Sequence, residues 1–160
     1  MRYIFTTRPG NAIWSGLALD QAGNLYGAET AWYTYKQKLL RGTVFRLSPG
    51  KSGWTKKVLF PFTPDNSATA GNAPAGGLVL DTAGNIYGTT IQGGANDMGT
   101  VFELTPVGKG KYQEKVLWSF NGTDGSGPQS GLILDSAGNL YGTTPTGGLY
   151  GNGVVFKVTP

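Results

Sequence analysis

The sequence predicts an all-β chain of repeated four-stranded units, and three observations carry that prediction. A block of twelve residues recurs three times. Two further blocks follow it in fixed order, and helix signals are nearly absent across the 160 residues. Self-similarity at a spacing of about 50 residues is the mark of a repeat architecture.

The first block is Gly16-Leu17-Ala18-Leu19-Asp20-Gln21-Ala22-Gly23-Asn24-Leu25-Tyr26-Gly27. It returns with the same Gly-Leu-x-Leu-Asp-x-Ala-Gly-Asn-x-Tyr-Gly pattern from Gly77 and from Gly131. Asp20 to Asp81 spans 61 residues and Asp81 to Asp135 spans 54. The block reads as two short strands, A and B, joined by a turn. In that turn, Asp accepts backbone N–H groups and Gly supplies a positive φ. Asp20, Gly23 and Asn24, with Asp81, Gly84, Asn85, Asp135, Gly138 and Asn139, are therefore structural turn residues. A calcium loop would carry several carboxylates at alternating positions, and each turn carries one; no metal site is expected.

Strand C follows as Gly42-Thr43-Val44-Phe45-Arg46-Leu47, again from Gly99 and from Gly153. Strand D follows twice, as Lys57-Val58-Leu59-Phe60 and as Lys115-Val116-Leu117-Trp118. Each is a short Val-, Leu- and Phe-rich run bounded by Gly, Pro, Asn or Asp, the pattern of a strand. The stretch 35–40 alone suggests a turn or two of helix. Four strands per unit match β-propeller blades better than solenoid turns.

The ends of the repeat pattern are out of phase. The third unit stops after strand C, and Arg2-Tyr3-Ile4-Phe5 precedes the first strand A. Phe5 to Gly16 is 11 residues, as is Phe120 to Gly131. The chain reads as a single region, 1–160, with repeats at about 16–76, 77–130 and 131–160 and a strand over 2–6 that completes a last blade, that of a partner chain. Propellers have about four to eight blades, so three fall short of a ring. A homodimer gives a six-bladed ring closed by strand exchange. A trimer of nine blades and a stretch of a longer array are the alternatives.

Composition excludes some chemistry. With no Cys and no His, thiolate and imidazole catalysis are absent, and so is the commonest transition-metal ligand. No cofactor is expected. Net charge is +4, which solubility explains as well as a polyanion partner does, and a nucleic-acid partner is not expected. Lys51, Lys56, Lys57, Lys109, Lys111 and Lys115 cluster in or beside the C–D connections, where a lysine rim protects outer strands from pairing edge to edge. No apolar run approaches the ~20 residues of a membrane-spanning helix, and residues 1–7 lack the apolar core of a signal peptide.

The repeated unit Gly-Leu-x-Leu-Asp-x-Ala-Gly-Asn-Leu-Tyr-Gly-Thr-Thr, followed by a Gly-rich stretch and Gly-x-Val-Phe-x-Leu-Thr-Pro, resembles the GloVer (Gloeo/Verruco) tandem-repeat family. The best matches are 77–106 and 131–160; the first repeat departs at Ala28, Glu29 and the insertion 31–41. The resemblance implies a β-propeller and an extracytoplasmic location, since the family occurs in large bacterial surface proteins. It brings no catalytic residues with it.

Function is expected in the loops that differ between repeats: the B–C connections 28–41, 89–98 and 143–152, and the D–A connections 6–15, 63–76 and 121–130. Variable loops on a rigid frame are where binding usually resides. Trp14, Glu29, Trp32, Tyr33 and Tyr150 are the candidate ligand-binding residues. Flat aromatics amid neutral polar groups suit glycans; equally, they pack their own loops. Glu29 replaces the Thr of Thr90 and Thr144, either as a ligand contact or as a surface partner of Lys36, Lys38 or Arg41. The expected function is a non-catalytic binding or scaffold module directed to glycans or surface proteins. One alternative is a carbohydrate-active hydrolase or lyase pairing Glu29 with Asp97 or Asp65; Asp124 is a further acid of the variable loops. A half-propeller with assembly as its only activity is the other.

Overall fold

The computed structural model describes residues 11–31, 33–35, 38–63 and 70–160. The expected strand over 2–6 and the candidate Trp32 lie outside the described residues. Among the described residues the chain is all β, without helix.

The first repeat builds one antiparallel sheet. Strands β1 (Asn11–Ala12) and β2 (Ala18–Leu19) both pair with the same edge of β3 (Leu25–Ala31), at Ala12 opposite Thr30 and Ala18 opposite Tyr26. The chain then makes a separate hairpin of β4 (Tyr33–Tyr35) and β5 (Lys38–Leu40). It returns as β6 (Thr43–Gly50) and β7 (Gly53–Pro61), which extend the sheet outward. The hairpin corrects the expectation of a helical turn over 35–40: Tyr33, Thr34 and Tyr35 are β-formers, and they win locally.

The second repeat repeats the plan. Strands β8 (Gly71–Pro74) and β9 (Val79–Leu80) share one edge of β10 (Ile86–Gly93), followed by β11 (Thr100–Pro106) and β12 (Tyr112–Ser119). The third provides β13 (Ile133–Leu134), β14 (Leu140–Thr144) and β15 (Val154–Val158), with an isolated bridge from Ser126 to Thr146 at the place of β8. The innermost strand is therefore broken in two in every repeat, and its upstream piece lies where the sequence suggested loop.

Both complete sheets carry the same bulge. Val44 opposes Phe60 and Phe45 opposes Val58, which leaves Leu59 unopposed; Leu117 is left unopposed in the same way. The extra residue re-aims the outer strand and turns Leu59 into the core.

Alternation along the strands gives each sheet two apolar faces. Tyr26, Val44, Leu59 and Phe62 of the first repeat pack against Leu78, Ile86, Phe102 and Leu104 of the second. Tyr87, Val101 and Phe120 of the second pack against Leu132, Leu140 and Val158 of the third. These are the same repeat positions used twice, down to edge-on ring pairs at 5.3 Å (Phe62 and Phe102) and 5.1 Å (Phe120 and Phe156). Glycine at 88 makes the packing possible: a Cβ there would stand 2.6 Å from the Phe102 ring and 2.7 Å from Leu78. Where the three inner strands meet, a Cβ on Gly77 would reach 3.6 Å from the Gly131 Cα and 3.9 Å from the Gly16 nitrogen.

Candidate functional site

At one end of the molecule the three A–B turns surround a cavity of about 840 Å³, lined by Leu19, Asp20, Tyr26, Leu80, Asp81, Leu134, Asp135 and neighbouring turn residues. Each Asp is held by its own turn. Asp20 Oδ1 accepts the amides of Ala22 (2.9 Å) and Asn24 (2.8 Å), and Oδ2 accepts Asn24 Nδ2 (2.8 Å) and the Tyr26 hydroxyl (3.0 Å). Asp81 receives the same four bonds from Ala83, Asn85 and Tyr87, and Asp135 from Ala137, Asn139 and Tyr141. Four donors occupy the carboxylate's acceptor sites, so these residues carry the turn. Among the described residues no group of three metal-ligating side chains converges. The tyrosine six residues on was missed by reading the turn alone, although the Asp-to-Tyr spacing is constant.

The bonds favour the charged carboxylates. The Asn139 side chain and amide hold Asp135 down at about 2, and Asn24 lowers Asp20. Burial opposes the shift at Asp81, yet the bonds from Asn85 and Tyr87 together still lower it. The partner Tyr87 is pushed up to about 12, by burial first and by Asp81 second. A depressed folded pKa contributes stability that is present above the unfolded value and lost as pH falls through the folded one. Acid unfolding is thus expected to steepen between about pH 4 and pH 2. Asp135→Asn should flatten that limb in thermal melts taken across this range.

At the opposite end lie the variable loops. Trp14 and Tyr150 are exposed, while the side chain of Tyr33, a residue of β4, lies outside what is described. Glu29 is buried. It accepts the Thr43 hydroxyl at 3.1 Å and forms an ion pair with Lys56. The expected partners Lys36 and Lys38 lie outside what is described at the side-chain level, and the ion pair that is described runs to Lys56 on β7. Thr90 and Thr100 bond each other at the same cross-strand place, at 2.8 Å. Asp97 accepts the Gly93 amide at 2.8 Å, Asp124 accepts the Trp118 indole N–H at 3.0 Å, and Asp65 lies outside the described residues. The lysine cluster also divides. Lys51, Lys109 and Lys111 occupy turns and are exposed, whereas Lys56 and Lys115 lie on strands beside Glu29 and Glu103.

A second cavity, of about 580 Å³, opens between the first and second sheets at this loop end, lined among the described residues by Arg41, Thr63, 70–72 and 93–97. Arg41 ties the sheets together through its backbone, its N–H donating to the Phe62 carbonyl (2.9 Å) and its C=O accepting the Ala73 amide (2.7 Å). Its guanidinium Nε is buried and makes no hydrogen bond, and so is Asn72 Oδ1. Neither residue was singled out from the sequence. The available signal was that both depart from their counterparts in the next repeat, Met98 and Ser126.

No curated protein matches the sequence. A family model described as the Gloeobacter/Verrucomicrobia repeat matches residues 1–160. The chain belongs to the Gloeobacter/Verrucomicrobia repeat family.

Proposed function

We propose that the chain is a non-catalytic β-propeller scaffold whose three repeat sheets are blades, that a second copy completes a six-bladed ring, and that the variable-loop end carries the binding surface. One observation supports closure above the rest. Val155 is 81% exposed, although its counterparts Val44 and Val101 are 0% exposed in the two inter-sheet cores. At the other end of the row Leu17 is 53% exposed, against 6% for Leu78 and Leu132. The last sheet thus offers one half of an interface that the chain already makes twice, and the first sheet offers residues of the other half. Head-to-tail association of two copies buries both. The non-catalytic reading is supported by Glu29, whose carboxylate is committed to Thr43 and Lys56.

Light scattering coupled to size exclusion tests closure: the expected mass is twice 16.8 kDa. A two-fold ring uses the interface twice, so Val155→Asp removes two buried valines. It should cost about 4 kcal/mol or more, roughly a thousand-fold in the dimer Kd. A monomeric wild-type chain at high concentration overturns closure, and a mass of three copies replaces six blades with nine.

A further inference from the structure

We propose that the junction of the first and second sheets, at the end where the A–B and C–D turns lie, is an oxyanion site in which Arg46 and Lys57 hold a phosphate or sulfate group. Arg46 on β6 and Lys57 on β7 are direct cross-strand partners, so their side chains leave the same face of the sheet. That face is turned to the second sheet. Burial raises the hydroxyl pKa of Tyr26 and of Tyr112 on β12, and Arg46 opposes the rise at both. The Lys57 ammonium lies where a Cβ on Gly110 would stand, against the turn between β11 and β12. Lys109 and Lys111, both exposed, flank that glycine. Arg46 is half-buried and Lys57 exposed, so an ion in solution reaches both.

Like charges directly opposite each other on paired strands are destabilising. Yet neither cation has a carboxylate within ion-pair distance among the described residues. Asp20, whose charge reaches Tyr112, accepts four bonds within its own turn. Glu114, two residues on from Tyr112, accepts the Gly71 amide. The repeat supplies the control. Glu103 and Lys115 are the counterparts, again cross-strand partners, and they form an ion pair at 4.0 Å. The Tyr87 hydroxyl there donates to Glu103 Oε1 at 3.5 Å. The fold therefore takes a carboxylate at this position and does not require the second cation. An arginine fork gives two N–H donors to one oxyanion, and the lysine adds a point charge. Two neighbouring cations match a doubly charged tetrahedral ion, or its monoester, better than the singly charged diester of a nucleic-acid strand. The site lies at the end opposite the variable loops, and both its walls belong to one chain. It rests neither on the binding surface proposed above nor on ring closure.

Calorimetric titration of the full chain tests it, at low ionic strength and about pH 8, where a phosphate monoester is doubly charged. The ligands are inorganic phosphate, sulfate and glucose 6-phosphate, with acetate at equal ionic strength as the control. Phosphate and sulfate are expected to bind about tenfold or more tightly than acetate. Arg46→Glu installs the residue of the second repeat opposite Lys57; it should abolish binding and raise the thermal midpoint without ligand. Lys57→Met should weaken binding about tenfold or more. Lys157→Met, which removes the same charge from the third sheet, should bind as wild type does. Tighter binding of the sugar phosphate supports a site for an ester on a larger ligand, and tighter binding of inorganic phosphate supports one for the free ion. The proposal is overturned if neither ion binds better than acetate, or if Arg46→Glu or Lys57→Met binds as tightly as wild type. It is equally overturned if Lys157→Met loses as much affinity as Lys57→Met, or if a single-stranded oligonucleotide binds and the two ions do not.

Discussion

Phe102→Ala is expected to destabilise the fold by about 3–5 kcal/mol, the cost of removing a fully buried aromatic ring and leaving its cavity. The ring is 0% exposed. It fills the space above Gly88, meets Phe62 edge-on and belongs to the core joining the first and second sheets. The surroundings have little freedom to collapse, because Ile86 is itself fixed by strand pairing on either side, to Leu80 and to Leu104. Phe156→Ala, at the same repeat position in the last sheet, should cost about half as much, since that ring is only half-buried. Urea unfolding of the two variants checks both values. Equal losses would mean that the third sheet is as enclosed as the second.

Glu114→Gln is expected to stabilise the protein by roughly 2–3 kcal/mol at pH 8 and to leave it nearly unchanged at pH 5. Glu114 lies largely buried on β12, and burial pushes its carboxyl up to about 7, only partly opposed by a bond from the Gly71 amide. Its Oε1 finds no hydrogen-bond partner. The folded state therefore binds this proton more tightly than the unfolded chain, whose value is near 4.5. Stability from this group is complete below the unfolded value and is lost as pH rises through the folded one. The amide stays neutral throughout, so the variant should lose the decline that wild type shows between about pH 5 and pH 8. Denaturation free energies measured at three pH values decide the matter: an unchanged slope places the titrating group elsewhere.

The charge at this place also shows why part of the structure was illegible in the sequence. Glu114 is the repeat counterpart of Lys56, and Glu29 is that of Thr90. Their partners are chosen across three strands, by the bulge and the register, which no local pattern records. The elements within one repeat were readable because their causes are local. Asp20 needs Asn24 and Gly23 in the turn, and strands B, C and D alternate apolar residues over five or more positions. The inner strand was only half read. Its pieces are two to four residues long, too short for a period-two signal, and β8 is held in part from outside, through Thr30 to the Pro74 carbonyl and through Arg41. The polar cavity failed for the same reason: Arg41 and Asn72 come from successive repeats and meet only after the sheets pack. Comparing the repeats for departures, as at Met98 and Ser126, is the route by which sequence alone reaches such residues.

The meeting of Gly16, Gly77 and Gly131 sets the curvature of the array. Sheets fanned around an axis are closest at their inner strands, and there the backbones stand one methyl group apart. An alanine at 77 would just fill the gap; a valine or leucine would act as a shim and splay the wedge. The angle between one sheet and the next is limited at this narrow point, where the backbones leave room for little more than a methyl group. Under the ring closure proposed above, the number of units would thereby be open to re-specification by substitutions that leave the apolar contacts between the sheets in place.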